Sequence, residues 1–352
     1  MKPQTEPILS QDERAKRVGL PACSATLAEL LHRAVERLSP VSPTARLDAD
    51  VLAMHVLGLN RAGLFAALSR PLDDGVQQQI EALVQRRERG EPVAYVTGRR
   101  EFWSLPLQVT PAVLIPRPET ELLVERALAR IPAGTETSVA DLGTGSGAIA
   151  LAIARERPRA RIVATDTSPE ALELARTNAA TLGIGNIEFR RGEWLTPLAG
   201  ETADAPHQMS ERMSEASRAP ASARGPIADV QDARMPRRPG MAESGLDPIG
   251  ETFEVIVSNP PYIRTGDPHL QQGDVRFEPR AALVSGSDGL DAIRAIIRDA
   301  RTHLKPGGWL LLEHGHDQAA AIEQLLGRAG YTDIRGHADL AGHRRAIEAT
   351  IA

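Results

Sequence analysis

Apolar positions recur at helix spacing through the first quarter of the chain, then give way to short β-branched runs separated by helical stretches. Leu27, Leu30, Leu31, Ala34 and Leu38 fall on one helix face. Asp48 and Asp50 open a second helical segment through Val51, Leu52, His55 and Val56, which stops at Leu57-Gly58. Asn60 caps a third segment through Leu64 and Leu68, and Asp73-Asp74 a fourth through Ile80, Leu83 and Val84. Residues 92–98 and 102–107 read as two short strands around a charged Arg99-Arg100-Glu101 turn. The prolines of Leu114-Ile115-Pro116-Arg117-Pro118-Glu119-Thr120-Glu121 make a rigid bridge into a helix starting near Leu122, whose N-terminus suits Glu119 and Glu121.

Strand and helix patterns then alternate. Strands are predicted at 138–142, 161–166, 187–190, 253–258 and 309–313, the last following a Lys305-Pro306-Gly307-Gly308 turn. Helices are predicted from Ala148 to Arg155, from Ser168 to Ala179, from Gly289 to Leu304 and from Gln318 to Ala329, with strand-like ends near Ile334 and Ala346-Ile347. Such alternation predicts an α/β, Rossmann-like domain: a mainly parallel sheet with helices on both faces. The expected organisation is a disordered tail at 1–22, a small helical bundle at 23–89, a β-hairpin and linker at 90–118, and the α/β domain at 119–352. Residues 200–250 interrupt that domain: they hold no aromatic and four of the six methionines, and they show no periodicity, which predicts a disordered insertion, with an active-site lid as the sharper alternative.

Composition narrows the function classes. The chain is 42% hydrophobic and 25% charged, a globular balance, but only 3% aromatic, so the core must rest on aliphatic residues. A net charge of −5 argues against a large basic surface, so sequence-specific nucleic-acid binding is not expected. A single cysteine, Cys23, excludes an internal disulfide framework and a multi-cysteine metal site. No metal site is expected at His32 or His55 either; both read as helix-surface or packing residues, and neither has a second histidine at ligand spacing. No apolar run approaches the roughly 18 residues of a membrane span, and no signal peptide is visible. A cytoplasmic monomer is expected.

Two stretches carry chemistry. Gly143-Thr144-Gly145-Ser146-Gly147 follows the first strand, and Asp166 ends the second, 23 residues after Gly143. Glycines let the backbone approach a ligand, and a carboxylate at that strand end accepts ribose hydroxyls, as in a dinucleotide site. S-adenosylmethionine (SAM) presents the same adenosine end but no pyrophosphate, and Asp141 would suit the ammonium of its amino acid end; the Asp141-x-Gly143-x-Gly145-x-Gly147 spacing favours SAM over NAD. Trp194 would pack against adenine or serve as an ordinary core residue. The second stretch is Asn259-Pro260-Pro261-Tyr262, after the strand ending at Ser258. It is either a plain turn or a site for an –NH2 group, because prolines leave the Asn259 and Pro260 carbonyls as acceptors without competing donors.

The glycine turn combined with Asn259-Pro260-Pro261-Tyr262 resembles the SAM-dependent amino-group methyltransferases. Added to Ala94-Tyr95-Val96-Thr97-Gly98, the bridge from Leu114 to Glu121, Phe277-Glu278-Pro279-Arg280, Leu312-Glu313-His314-Gly315 and Asp339-Leu340-Ala341-Gly342, it is more closely similar to the PrmC/HemK family of peptide chain release factor glutamine methyltransferases. The resemblance implies SAM contacts at Gly143 to Gly147, Asp166, Trp194 and Asn259, and substrate contacts along Asn259, Pro260, Pro261 and Tyr262. It implies release factors as the protein partner, held by the helical region. Glu193 and Glu254 stand where the family usually has aspartate, and the insertion is unusual. The alternatives carried alongside are a ribosomal-protein glutamine methyltransferase, a DNA adenine amino-methyltransferase and a non-catalytic module presenting Pro-Pro-Tyr.

Overall fold

The computed structural model describes residues 25–199 and 250–352. The tail expected at 1–22, Cys23, and the insertion expected at 200–250 apart from Gly250 lie outside the described residues.

The first helix, α1 (Leu27–Leu38), begins in a reciprocal cap: Glu29 N–H donates to Thr26 Oγ1 (3.3 Å), and Thr26 N–H donates to Glu29 Oε2 (2.9 Å). Its predicted face is buried and packs on α2 (Ala45–Leu57), α3 (Arg61–Ala66) and α4 (Asp74–Glu88). Asp48 and Asp50 do not open α2. The helix starts at Ala45, and both acids are buried inside it. Arg87 Nε, from another helix, meets Asp48 Oδ2 at 2.7 Å, and Arg46 Nε, one turn back on the same helix, meets Asp50 at 2.9 Å, so ion pairing, not capping, explains them.

Residues 92–98 are not a strand. They form one helical turn, α5 (Val93–Thr97), in which the Tyr95 and Val96 N–H groups donate back to the Pro92 carbonyl. The Arg86 guanidinium donates to the Tyr95 and Val96 carbonyls at 3.3 and 3.2 Å, satisfying groups that a helix this short leaves open. The hairpin that follows, β1 (Arg99–Phe102) and β2 (Leu105–Gln108), turns at Trp103-Ser104 rather than at Arg99–Glu101. Both turn residues are left-handed, with φ of 51° and 56°. Tertiary bonds hold them there: Trp103 N–H donates to Glu121 (2.9 Å) and its indole N–H to Glu156 (3.0 Å).

The larger region is built on β3 (Ser138–Leu142), β4 (Arg161–Asp166), β5 (Ile187–Arg191), β6 (Phe253–Ser258), β7 (Leu304–Glu313), β8 (Thr332–Ala338) and β9 (Arg344–Thr350). Among the described residues these form one seven-stranded sheet in the order β5-β4-β3-β6-β7-β9-β8, parallel except for β9. Four residues, Lys305 to Gly308, bulge out of β7, since Leu304 pairs with Phe253 and Trp309 with Val255. Alternate residues of each central strand serve opposite faces. Val255 and Val257 pack under α6 (Glu121–Arg130) and α7 (Ala148–Glu156); Ile256 packs under α8 (Asp291–His303) and α9 (Ala319–Arg328). Helices on both faces explain why these strands are continuously apolar. Ala199 and Gly250 are bridge partners, and no helix among the described residues is long and apolar enough to cross a membrane.

The order of strands fixes where a ligand can sit. From β3 the chain runs to β4 and β5 on one side, then returns to β6 on the other. That reversal opens a crevice beyond the carboxyl ends of β3 and β6. Leu142 and Ser258 are register partners, and Ser258 Oγ donates to the Leu142 carbonyl at 2.7 Å, so Gly143 and Asn259 leave the sheet side by side.

Candidate active site

A cavity of about 780 Å³ fills this crevice, lined by Gly143 to Ser146, Asp166, Trp194, Asn259 and Pro261. The glycine loop is pinned from behind: the Gly143 and Thr144 N–H groups donate to the Thr165 carbonyl, each at 2.9 Å, and Gly145 N–H donates to Asp166 Oδ2 at 2.9 Å. Gly143 has φ +72°, and a Cβ there would approach the Trp194 ring to 3.2 Å. The loop therefore needs glycine both for its backbone and for the indole laid against it. Asp166 also accepts Ser168 N–H on Oδ1 at 2.9 Å, which leaves each carboxylate oxygen a further lone pair facing the cavity edge. Trp194, left-handed at φ 45°, is fixed by Thr165 Oγ1 donating to its carbonyl (2.8 Å) and is both cavity wall and core contact.

Asp141 and Gly147 do not line the cavity. Asp141 is fully buried behind the loop, where its Oδ2 accepts from Thr144 Oγ1 (2.7 Å) and Ala150 N–H (3.2 Å). Burial pushes its carboxyl up to about 7, and its Oδ1 has no hydrogen-bond partner among the described residues. Its observed contacts hold the loop against α7; the expected direct meeting with an ammonium is replaced by that bracing role. Gly147, at φ +86°, packs against Leu151 and Ala175 at the start of α7.

The Asn259–Tyr262 stretch divides by depth. Asn259 is half-buried at the cavity wall, and its Nδ2 donates to Thr120 Oγ1 at 3.2 Å, which leaves Oδ1 as the acceptor facing the crevice. Pro261 lines the cavity too. Pro260 is buried and Tyr262 half-buried, and neither lines it. The Tyr262 side chain is drawn inward: its hydroxyl lies 3.4 Å from Glu313 Oε1, while its carbonyl accepts from Gln318 Nε2 at 2.9 Å. The buried acid thus offers the phenol a partner and anchors the side chain beside the site. Burial pushes the Glu313 carboxyl up to about 7, partly opposed by the neighbouring Thr120 hydroxyl.

Gly289 guards this anchor. At φ +80°, a Cβ added there would sit 2.3 Å from the Tyr262 carbonyl oxygen. Gly289→Ala is therefore expected to destabilise the fold by about 2–4 kcal/mol through backbone strain and overpacking, and to lower the melting temperature by several degrees. Thermal unfolding checks this; an unchanged melting temperature would contradict the contact.

Several lining residues carried no role in the reading of the sequence. Arg117 and Thr120 belong to the proline-rich bridge; Glu278, in the stretch after residue 268, stands behind Arg117 and does not line the cavity itself. Glu278 is buried, accepts Ile115 N–H at 3.1 Å and pairs with Arg117, closing the bridge over the crevice. Arg87, already paired with Asp48, also meets Asp274 at 3.0 Å, and Arg276 donates to the Arg89 carbonyl at 3.1 Å, so α4 is tied to the segment that carries Glu278. The signal for Thr120 and Glu313 lay in stretches already singled out: a hydroxyl among prolines, and an acid ending the apolar run Leu310-Leu311-Leu312.

The profile of the PrmC N-terminal domain matches residues 29–98, and that of a methyltransferase domain matches residues 134–207. A release factor glutamine methyltransferase of Xylella fastidiosa (strain Temecula1) is 44% identical over 316 residues, covering 90% of this chain and 94% of its own length. That of Escherichia coli K12 is 42% identical over 315 residues, covering 90% and 95%. The solved protein-(glutamine-N5) methyltransferase (release factor-specific) of Alicyclobacillus acidocaldarius is 25% identical, covering 70% of this chain and 99% of its own, with a TM-score of 0.34. With identity of this order running from the helical region through the C-terminal sheet, the chain belongs to the release factor glutamine methyltransferase family.

Proposed function

We propose that this enzyme transfers a methyl group from SAM to the side-chain amide nitrogen of the glutamine in the Gly-Gly-Gln motif of peptide chain release factors. The observation that carries the reading is Asn259 Oδ1: it is an acceptor fixed beside the glycine loop, at the strand reversal, with its own –NH2 already committed to Thr120. The residues fit SAM. The glycine loop permits close approach, Asp166 offers lone pairs for ribose hydroxyls, and the Trp194 indole offers a face for adenine, while Asp141 braces the loop from behind. When bound, SAM supplies a methyl group activated on a sulfonium.

An amide nitrogen is a weak nucleophile because its lone pair is delocalised into the carbonyl. Asn259 Oδ1 and the Pro260 carbonyl accept its two N–H bonds, turning the lone pair toward the methyl. As the N–C bond forms and the C–S bond breaks, positive charge grows on nitrogen, and the same two acceptors stabilise it. One N–H proton then leaves to solvent. Pro261 bounds the pocket on the substrate side, and no side chain is required as a covalent nucleophile. The helical region at 23–89 docks the release factor, and the enzyme acts as a cytoplasmic monomer.

Incubating the protein with SAM and a release factor, then mapping peptides by mass spectrometry, is expected to show one added methyl on the Gly-Gly-Gln glutamine. An unmodified glutamine, with methyl delivered instead to a ribosomal protein or DNA included in parallel, would overturn the assignment.

A further inference from the structure

One stretch that carries the family resemblance, Asp339-Leu340-Ala341-Gly342, has no part in the chemistry proposed above. It forms the turn between β8 and β9, which closes beyond the pair Ala338 and Arg344. Asp339 builds this turn. Its side chain is 7% exposed, and its Oδ1 accepts the Ala341 and His343 N–H groups, each at 2.9 Å. The Asp339 N–H donates to the His343 carbonyl at 2.8 Å, and the Gly342 N–H donates to the Asp339 carbonyl at 2.9 Å, with Gly342 left-handed at φ +84°. The turn is thus fixed from below, while the leucine at its apex is held clear of the fold: Leu340 is 110% exposed.

A single apolar side chain in water is common on protein surfaces. Leu340 differs in where it stands. β9 is antiparallel to both β7 and β8, so β8 runs parallel to β7 and β6, and its turn projects from the same edge of the sheet as Asn259. Ser258 faces Leu312, Leu312 faces Ile347 and Ile347 faces Gly336, which places Asn259 level with His337. Leu340 rises up to about 10 Å beyond that level, at the rise of an extended chain. Sideways, β7 and β9 lie between β6 and β8, so the separation is about 14 Å. The base of the turn adjoins the site: the Arg345 carbonyl accepts the His314 N–H at 2.9 Å, next to Glu313 and its Tyr262 contact. Among the described residues, the other exposed large apolar side chains, Val41, Leu47 and Phe65, all belong to the helical region.

We propose that Leu340 is a docking residue, seated in an apolar notch of the release factor beside the loop that carries the glutamine. The inference rests on the glutamine methylation proposed above and adds a second point of grip to that of the helical region. A glutamine on a folded protein reaches Asn259 only if that protein covers the carboxyl edge of the sheet. A specific interface buries about 800 Å² on each partner, a disc of about 16 Å radius, so a patch centred on the cavity mouth extends as far as Leu340. A side chain standing proud of that edge meets the partner or keeps it away. Its backbone is already held, so docking orders little more of the chain, and burial removes the whole side chain from water.

Leu340→Ser is expected to leave the melting temperature unchanged, since the side chain it removes contributes to no core. With SAM and intact release factor, it should raise KM for the release factor about 10-fold or more. At saturating release factor kcat should stay within about two-fold of wild type, and so should the SAM dissociation constant, because the turn touches neither the methyl donor nor the amide. Leu340→Met, apolar and of similar volume, should keep KM near wild type. Calorimetric binding of release factor, which needs no methyl transfer, should weaken in Leu340→Ser in step with KM. An unchanged KM for release factor in Leu340→Ser overturns the proposal, and so does a loss that falls on kcat with KM unmoved. If the wild-type enzyme leaves the release factor unmethylated, the substrate assignment falls, and binding alone decides the docking role: weaker binding by Leu340→Ser sustains it, and equal binding overturns it.

Discussion

Asn259→Ala is expected to bind SAM within a few-fold of wild type and to turn over at least about 100-fold more slowly. The substitution removes the acceptor that both orients the amide nitrogen and stabilises the charge growing on it, and losses of that size follow deletion of one such group aimed at developing charge. The effect should fall on kcat rather than on KM for SAM, because the interaction strengthens as the transition state forms. Asn259→Asp is the informative companion. It keeps an oxygen at the cavity but replaces the –NH2 that donates to Thr120 Oγ1 in the native arrangement, so its turnover should fall between wild type and the alanine variant. Steady-state kinetics with calorimetric SAM titration checks both; near-normal kcat in Asn259→Ala would remove the mechanism.

Asp166→Ala is expected to fail in the opposite way. Loss of hydrogen bonds from ribose hydroxyls to a charged acceptor costs about 3 kcal/mol or more, on the order of 100-fold in the SAM dissociation constant. The same carboxylate also receives the Gly145 and Ser168 N–H groups, so its removal loosens the loop that carries the ligand. At saturating SAM, kcat should recover most of its value, since this contact binds ground and transition states alike. Asp166→Asn, which keeps one acceptor oxygen, should fall between. A SAM affinity unchanged in Asp166→Ala would exclude the ribose role.

How much of this could be read from the chain depends on the range of the interaction involved. The glycine loop, Asp166 and Asn259 were legible because each sits at the end of an apolar strand, and strand ends are marked locally. The helices of residues 27–88 were legible from spacing. Three kinds of feature were not. The turn at Trp103-Ser104 lacks the usual glycine or asparagine and is held by Glu121 and Glu156, residues from later helices. The 92–98 stretch has β-branched composition, yet folds as a helical turn because Arg86 completes its hydrogen bonds from another element. Asp48, Asp141 and Tyr262 each took a role from a partner that no local pattern names: Arg87, the N-terminus of α7, and Glu313. Thr120 and Asn259 are 139 positions apart, and only the fold brings them into contact.

Arg87 holds Asp48 of α2 with one nitrogen and Asp274, of the larger region's segment before Glu278, with another. A single guanidinium thus belongs to both regions, and neither can shift without changing what the other sees. Thermodynamic reciprocity then constrains the enzyme whatever its kinetic order. If a polypeptide docking on the helices tightens methyl-donor binding by some factor, the methyl donor must tighten docking by that same factor. Loading with the donor would then bias which proteins the helices retain, so that selection of the partner and readiness to react become one equilibrium.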